Sequence, residues 1–197
     1  GTAATPGPAG AWTIASTGST NVWTYSANGG TGTSGGTAHV TNNTTTKPLA
    51  YTNTATATSR LRSPLINATA ITGSSDSMKL FITYKCNGEL FSGTYYDFGR
   101  LQYSLNGTTF SNIPGTTVLQ GVTNATNLTV NLPASLKGQQ FYIAFYWEND
   151  NTAGSVSGRV TSRKWSGANQ LKPVPCVTRI FLARSRSMTN SWSSSIG

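Results

Sequence analysis

Apolar and polar residues alternate along several short segments of this chain, with the two-residue period of a β-strand whose faces meet different surroundings. The clearest case is SMKLFITYK (77–85), which places Met78, Leu80, Ile82 and Tyr84 on one face. In QQFYIAFYWE (139–148) the residues at 141, 143, 145 and 147 are apolar, and the opposite face is also largely aromatic. Apolar groups on both faces predict a central strand.

Further strands are predicted between turn residues. NLTVNL (127–132) buries Leu128, Val130 and Leu132 in this interpretation. Asn106-Gly107 predicts a tight hairpin turn, because both central residues of such a turn need positive φ. SRLRSPLIN (59–67) predicts an edge strand, because it runs into a proline. The other predicted strands are AWTIAS (11–16), NVWTYS (21–26), TAHVTN (37–42), KPLAYTN (47–53), FGRLQYSL (98–105), TTFSNI (108–113) and TTVLQGV (116–122).

The spacing and composition of these segments predict an all-β, two-sheet antiparallel β-sandwich. Turn residues recur every 8–12 positions, as in such sandwiches. No segment has a sustained apolar period of 3.6 residues. Charged residues make up 10% of the chain, against about 25% in an average soluble domain, and Thr, Ser, Asn and Gly replace them. No apolar run is long enough to predict insertion into a membrane.

The net charge of +9 is concentrated at the C-terminus. Residues 1–158 contain seven Lys or Arg and all five acidic residues, which gives +2, whereas residues 159–197 contain seven Lys or Arg and no acid, which gives +7. We therefore predict a sandwich domain over 1–158, with a Gly/Ser/Thr loop at 28–36, and an irregular basic, Ser-rich tail over 159–197.

The ordered motifs SPLINATAI, MKLFITYK, LQYSLNGTTFSNIP and NLTVNLPASLKGQQFYIAFYWENDN resemble those of MAM-like and cleaved-adhesin-like jelly-roll domains of secreted bacterial proteins. The resemblance covers residues 60–152. It implies a jelly-roll sandwich, an extracellular or cell-surface location, and a role in adhesion or carbohydrate binding. The family's usual acidic closing strand is absent. Three explanations stay open: a different closing strand at 176–183, a tail that contacts a neighbouring molecule, or a shifted reading frame.

The run after the last core strand suggests a metal site. Glu148, Asn149 and Asp150 are oxygen-bearing residues, and Asp97 or Asp76 would assist them. Ca²⁺ takes six to eight oxygen ligands and tolerates irregular loops. A structural calcium is one interpretation, and an ordinary polar turn is the other.

Aromatic side chains near predicted turns are candidate sugar contacts, because rings pack on pyranose C–H groups while amides and hydroxyls bind sugar hydroxyls. A core position is the alternative interpretation for the two tryptophans. The candidates are Trp12, Trp23, Tyr25, Tyr95 and Tyr96.

Catalysis is not indicated. His39 is the only histidine, and no nucleophile motif surrounds it. A glycosidase needs two carboxylates about 5–10 Å apart, and nothing in the sequence marks Asp97 with Glu148 or Asp150 as such a pair. We predict a protein that is not an enzyme and has no organic cofactor.

The basic tail and the two cysteines leave several interpretations open. The tail could contact phosphates, but its charges are scattered, so we do not predict nucleic-acid binding; it could also join copies of this chain. Cys86 and Cys176 would form either a disulfide or two buried thiols. The tail residues proposed for assembly contacts are Arg159, Arg163, Lys164, Arg179, Arg184 and Arg186.

Two functions follow from these observations. The first is a non-catalytic adhesion or carbohydrate-binding module of a secreted surface protein, with a glycan or a surface protein as its partner. The alternative is a structural subunit of a filament, sheath or shell, assembled through its termini and its basic tail.

Overall fold

The computed structural model describes residues 12–17, 20–26, 37–116, 118–151 and 174–186, with the backbone alone described at 17, 90–91 and 174–186. Its strands are β1 (Thr13–Thr17), β2 (Val22–Ser26), β3 (Thr37–Thr41), β4 (Ala57–Arg62), β5 (Ile66–Asn67), β6 (Asp76–Asn87), β7 (Leu90–Phe91), β8 (Thr94–Tyr95), β9 (Phe98–Ser104), β10 (Ser111–Asn112), β11 (Val122–Asn131), β12 (Gln140–Asn149) and β13 (Val174–Arg186). A short 3-10 helix, Ala134–Leu136, connects β11 to β12. The predicted loop at 28–36 lies outside the described residues.

The strands form two antiparallel sheets and a small hairpin. Sheet 1 has the order β1-β4-β12-β9-β10, and β5 also pairs with β12. Sheet 2 has the order β11-β6-β13-β3-β2, and β7 pairs with β8. The chain passes between the sheets from β3 to β4, β6, β9, β11, β12 and β13, which is the jelly-roll path. The predicted all-β antiparallel sandwich is confirmed.

Alternation along the strands produces the core. On β6, Met78, Leu80 and Ile82 are buried, as predicted, while Phe81 on the other face is partly exposed. β12 lies between β4 and β9, so the predicted central position is confirmed. Its inward side chains, together with that of Trp23, are among the largest buried groups: Phe141, Ile143, Phe145 and Trp147.

Several local predictions are wrong. KPLAYTN forms no strand, and among the described residues of TTVLQGV only Val122 belongs to one, as the first residue of β11, while Leu119 makes a single bridge to Gly99. β4 is not an edge strand, since it lies between β1 and β12 and ends before the proline that suggested an edge. For β4, pairing with strands distant in sequence decided the outcome.

The Asn106-Gly107 turn is not the predicted two-residue type. Only Gly107 has positive φ, at 75°, and a loop joins β9 to β10. The Asn106 Oδ1 accepts backbone N–H groups from Thr108 and Thr109 at 3.0 and 2.8 Å, which stabilises a longer turn. A two-residue turn with both φ values positive occurs instead at Ser92 (50°) and Gly93 (80°), where it joins β7 to β8.

Strand β13 belongs to the sandwich and spans the closing strand, 176–183, that was one of the open explanations for the predicted tail. Its backbone pairs with β6 and with β3 inside sheet 2. Cys86 on β6 is disulfide-bonded. Cys176, the only other cysteine in the sequence, lies on β13 between the paired positions Val174↔Asn87 and Val177↔Lys85.

Candidate functional site

The jelly-roll path brings four connections to one end of the sandwich: β3–β4, β6–β9, β10–β11 and the segment after β12. The β6–β9 connection contains the β7–β8 hairpin, with Glu89 before it and Asp97 after it. Asp150 follows β12. The carboxylates of these three residues lie within 4.8 Å of one another. We call them the acidic cluster.

Gly88 allows the two sides of the hairpin to approach closely at its base. A Cβ on Gly88 would lie 2.1 Å from the carbonyl oxygen of Asp97, so only glycine allows this approach. The Tyr96 N–H donates to the Glu89 carbonyl at 3.1 Å. These two contacts bring Glu89 and Asp97 together across the hairpin and point Tyr95 and Tyr96 away from the core.

Asp97 is the buried member of the acidic cluster, with 0% of its surface exposed. The Tyr51 hydroxyl donates to its Oδ2 at 2.5 Å, and the Asp150 N–H donates to its Oδ1 at 3.1 Å. Burial raises the pKa of Asp97 to about 6; the two hydrogen bonds oppose this, and the charges of Glu89 and Asp150 reinforce it. Burial also raises the pKa of Tyr51, with help from Asp97.

The acidic cluster could hold a hard cation, because it supplies carboxylate oxygens alone, the ligands that Ca²⁺ prefers. It contains Asp97 and Asp150 from the predicted calcium set and adds Glu89, which the sequence analysis missed. No spacing rule marks Glu89, because the fold of the hairpin is what brings it to Asp97. The calcium ion stays a prediction, now attached to these three residues.

Two residues of the predicted calcium set lie elsewhere, which corrects that part of the prediction. Glu148 points from the outer face of sheet 1 and pairs with Arg100 at 2.5 Å. Asn149 points inward and is fully buried; its Oδ1 accepts from Trp147 Nε1 at 3.1 Å and from Asn21 Nδ2 at 2.8 Å. Successive residues of a strand face opposite sides, so this run cannot converge on one ion. Asp76, at the start of β6, lies at the other end of that strand.

The predicted sugar-contacting aromatics separate into core and surface residues. Trp23 is 2% exposed, and its Nε1 donates to the Ser59 carbonyl at 3.0 Å, so it is a core residue and that candidate is wrong. Trp12 is partly buried and packs against Phe145, with ring centroids 6.1 Å apart. Tyr25 is partly buried on β2.

The tyrosine pair on the hairpin is exposed. Tyr95 is 39% exposed and Tyr96 is 38% exposed. The hydroxyl of Tyr95 approaches the backbone at Gly121, where an added Cβ would lie 3.7 Å from it. These two rings are therefore the predicted contacts that a ligand can reach.

His39 is a buried structural residue. Its Nδ1 and Nε2 lie 3.4 and 3.2 Å from the carbonyl oxygens of Thr37 and Lys47. Burial lowers its pKa, which favours the neutral ring. Both nitrogens are therefore directed at backbone carbonyls. Asp97, the buried acid considered for a glycosidase pair, has both oxygens engaged as well.

The basic residues proposed for assembly contacts divide between two regions. Arg159, Arg163 and Lys164 lie outside the described residues. Arg179, Arg184 and Arg186 lie on β13, where their backbone positions pair with Thr83, Met78 and Asp76 of β6.

No family model matches this sequence, and a search of curated proteins finds no similar one. Within the described ranges, no helix has the length and apolar character needed to span a membrane.

Proposed function

We propose that this chain is a non-catalytic extracellular module that binds carbohydrate through Tyr95 and Tyr96 at the β7–β8 hairpin. The observation that supports this most is the exposure, 39% and 38%, of two tyrosines that are consecutive in sequence, at a hairpin closed at its base. Exposed tyrosine side chains commonly contribute to recognition surfaces. The resemblance to adhesin-like domains favours the same function.

Two local features constrain the backbone of the hairpin. Gly88 packs against Asp97 at the base, and Ser92 and Gly93 form a two-residue turn at the tip. A contact surface held in one conformation loses little conformational entropy on binding. Tyrosine supplies a flat ring for sugar C–H groups and a hydroxyl for a hydrogen bond. Surrounding Ser, Thr and Asn residues could bind sugar hydroxyls.

The proposed module is non-catalytic because of the positions of His39 and Asp97, the two groups considered above for catalysis. His39 faces backbone carbonyls with both nitrogens. Asp97 is fully buried, so a substrate would not reach it. General acid–base catalysis requires a titratable group within hydrogen-bond reach of the substrate.

A glycan array with fluorescently labelled protein tests the proposal, followed by titration of each hit. We expect Tyr95→Ala and Tyr96→Ala to raise the dissociation constant about tenfold or more, since each removes a ring contact. Phe81→Ala is the matched control, because Phe81 is 36% exposed on the outer face of sheet 2. If the unchanged protein binds no glycan, or if all three variants bind equally well, the proposal is wrong.

The alternative, a subunit that assembles through its basic tail, also stays a prediction. Strand β13 pairs with β6 and β3 of its own chain, so the part of the tail that the structure describes is used within the sandwich. Light scattering across a salt series tests assembly directly, because salt screens attraction between surface charges. Polymers that dissolve at high salt would favour the subunit over the binding module.

A further inference from the structure

The outer face of sheet 1 carries three arginines from the two strands that flank β12. Arg60 and Arg62 are on β4, and Arg100 is on β9, with β12 between these strands. Each guanidinium carbon lies over an aromatic ring: Arg60 is 4.3 Å from the Phe110 centroid, Arg62 is 4.8 Å from Tyr142, and Arg100 is 4.6 Å from Phe98. We call this surface the arginine face.

The strand register explains how the arginine face is built. Tyr146 on β12 pairs with Arg60 on one side and with Arg100 on the other, and both guanidinium groups approach its ring, at 5.0 and 5.7 Å. The next outward position on β12 is Ala144, which is fully buried although it points away from the core. Its small side chain lets Arg60 reach across β12, where Nε donates to Gln102 Oε1 at 3.1 Å.

Arg62 and Arg100 have protein partners for their charged ends. Arg62 donates from Nε to Thr13 Oγ1 at 3.0 Å and from Nη1 to the Gly107 carbonyl at 2.9 Å. Arg100 pairs with Glu148 at 2.5 Å. The Nε of Arg100 is buried and has no acceptor among the described residues. The face therefore has more donors than acceptors.

Among the described residues, Arg60 has neither a counterion nor an acceptor for its Nη groups. Within the described ranges its one hydrogen bond goes to the neutral side chain of Gln102, and no carboxylate pairs with it. Both Nη groups remain available. Burial lowers its pKa, yet arginine stays protonated in proteins. A partly buried, charged guanidinium with free Nη groups is stabilised by an anion that accepts two parallel hydrogen bonds.

We infer that the arginine face binds the carboxylate or sulfate groups of an acidic glycan, with Arg60 as the bidentate contact. This inference rests on the proposed carbohydrate function and assigns that function a second contact surface and a ligand class. The face holds three arginines and one glutamate, a net charge of +2, which complements an anionic chain. Gln102, which is buried, accepts from Arg60 and donates from Nε2 to Asn112 Oδ1 at 2.9 Å. Asn112, which is partly exposed beside this pair, supplies an amide for sugar hydroxyls.

A glycan fits the arginine face better than a nucleic acid does. Nucleic-acid surfaces place many Lys and Arg along a phosphate backbone and leave ring faces open for stacking bases. Here the guanidinium groups lie over the rings, and of the three arginines only Arg60 has both Nη groups without an acceptor among the described residues. Such a surface matches widely spaced anionic groups among neutral hydroxyls.

Isothermal titration of the whole chain with polygalacturonate, dextran sulfate and neutral dextran tests the inference, and the two acidic polymers distinguish carboxylate from sulfate. We expect acidic polymers to bind more tightly than dextran, with an affinity that falls as salt rises. Arg60→Gln should weaken acidic binding about tenfold or more. Lys79→Gln, which removes one charge from the outer face of sheet 2, should change it less than about twofold.

Arg60→Lys keeps the charge but loses the planar fork, so it should also weaken acidic binding if the contact is bidentate. It provides a second variant should Arg60→Gln fail to fold. Equal binding by Arg60→Lys and the unchanged protein would overturn the bidentate contact. Acidic binding that is lost in Tyr95→Ala but intact in both Arg60 variants would overturn this inference and leave the proposed function standing. No binding of any glycan would overturn both, and tighter binding of a single-stranded oligonucleotide would replace the ligand class.

Discussion

Burial of Asp97 predicts a loss of stability as the pH rises through the weakly acidic range. Burial, opposed by the hydrogen bonds from Tyr51 and Asp150, raises the pKa of the Asp97 carboxyl from 3.8 to about 6. Below pH 3.8 both the folded and the unfolded chain hold this proton. Between pH 3.8 and 6 the unfolded chain releases the proton and the folded chain keeps it. The free energy of unfolding therefore falls by about 1.4 kcal/mol per pH unit, about 3 kcal/mol in all.

Urea unfolding at pH 4 and pH 7, with a chelator present and followed by tryptophan fluorescence, measures this change. Asp97→Asn is the reference, because the amide imitates the protonated carboxyl: its oxygen still accepts the Asp150 N–H, and its NH₂ group can donate to the Tyr51 oxygen. The unchanged protein should lose about 2.4 kcal/mol more than this variant on going from pH 4 to pH 7, because part of the full change already occurs below pH 4. His39, whose pKa is lowered, changes stability in the opposite direction but does so equally in both proteins. Equal pH dependence in the two proteins would refute the reasoning.

The remaining predictions concern stability and metal binding. Calcium should raise the urea midpoint at pH 7 in the unchanged protein but not in Asp97→Asn, since bound cations stabilise the folded state; no shift would count against calcium at the acidic cluster. Gly107→Ala should cost about 1–3 kcal/mol, because φ is 75° and the new Cβ would lie 2.8 Å from Arg62 Nη1; an unchanged melting temperature would contradict this. Asn149→Ala should cost about 1–3 kcal/mol by leaving the Trp147 Nε1–H without its acceptor; a smaller loss in urea unfolding would show that water replaces the amide. Reduction of the Cys86 disulfide should cost about 2–4 kcal/mol; identical urea midpoints with and without reductant would contradict this.

Strand alternation made much of the sandwich predictable. The side chains of β6 and β12 face the sides that the two-residue pattern indicates, because burial on one face of a strand acts on every second residue. The same rule contained a signal that the sequence analysis did not use. Asn149 continues the inward series of Phe145 and Trp147, so its burial and the outward direction of Glu148 followed from the pattern.

Turn chemistry was less predictable from local signals. Asn106-Gly107 is the strongest short-range signal for a tight hairpin turn, yet the Asn106 side chain caps a longer loop, and Gly107 packs against Arg62 of β4. Ser92-Gly93 carries a weaker signal and forms the two-residue turn. The contact of Gly107 with β4 comes from the fold, and the local sequence does not encode it.

The sequence by itself determined the core strands β6 and β12, the faces that they bury and that the charged residues are few, because these properties depend on neighbours along the chain. Only the tertiary structure decided which residues from distant parts of the chain come together. Glu89, Asp97 and Asp150 come together because the jelly-roll path brings the β6–β9 connection and the segment after β12 to one end of the sandwich. Arg60 meets Gln102 across a strand from another part of the chain. Such contacts depend on the strand order of the whole sandwich, and no local pattern encodes that order.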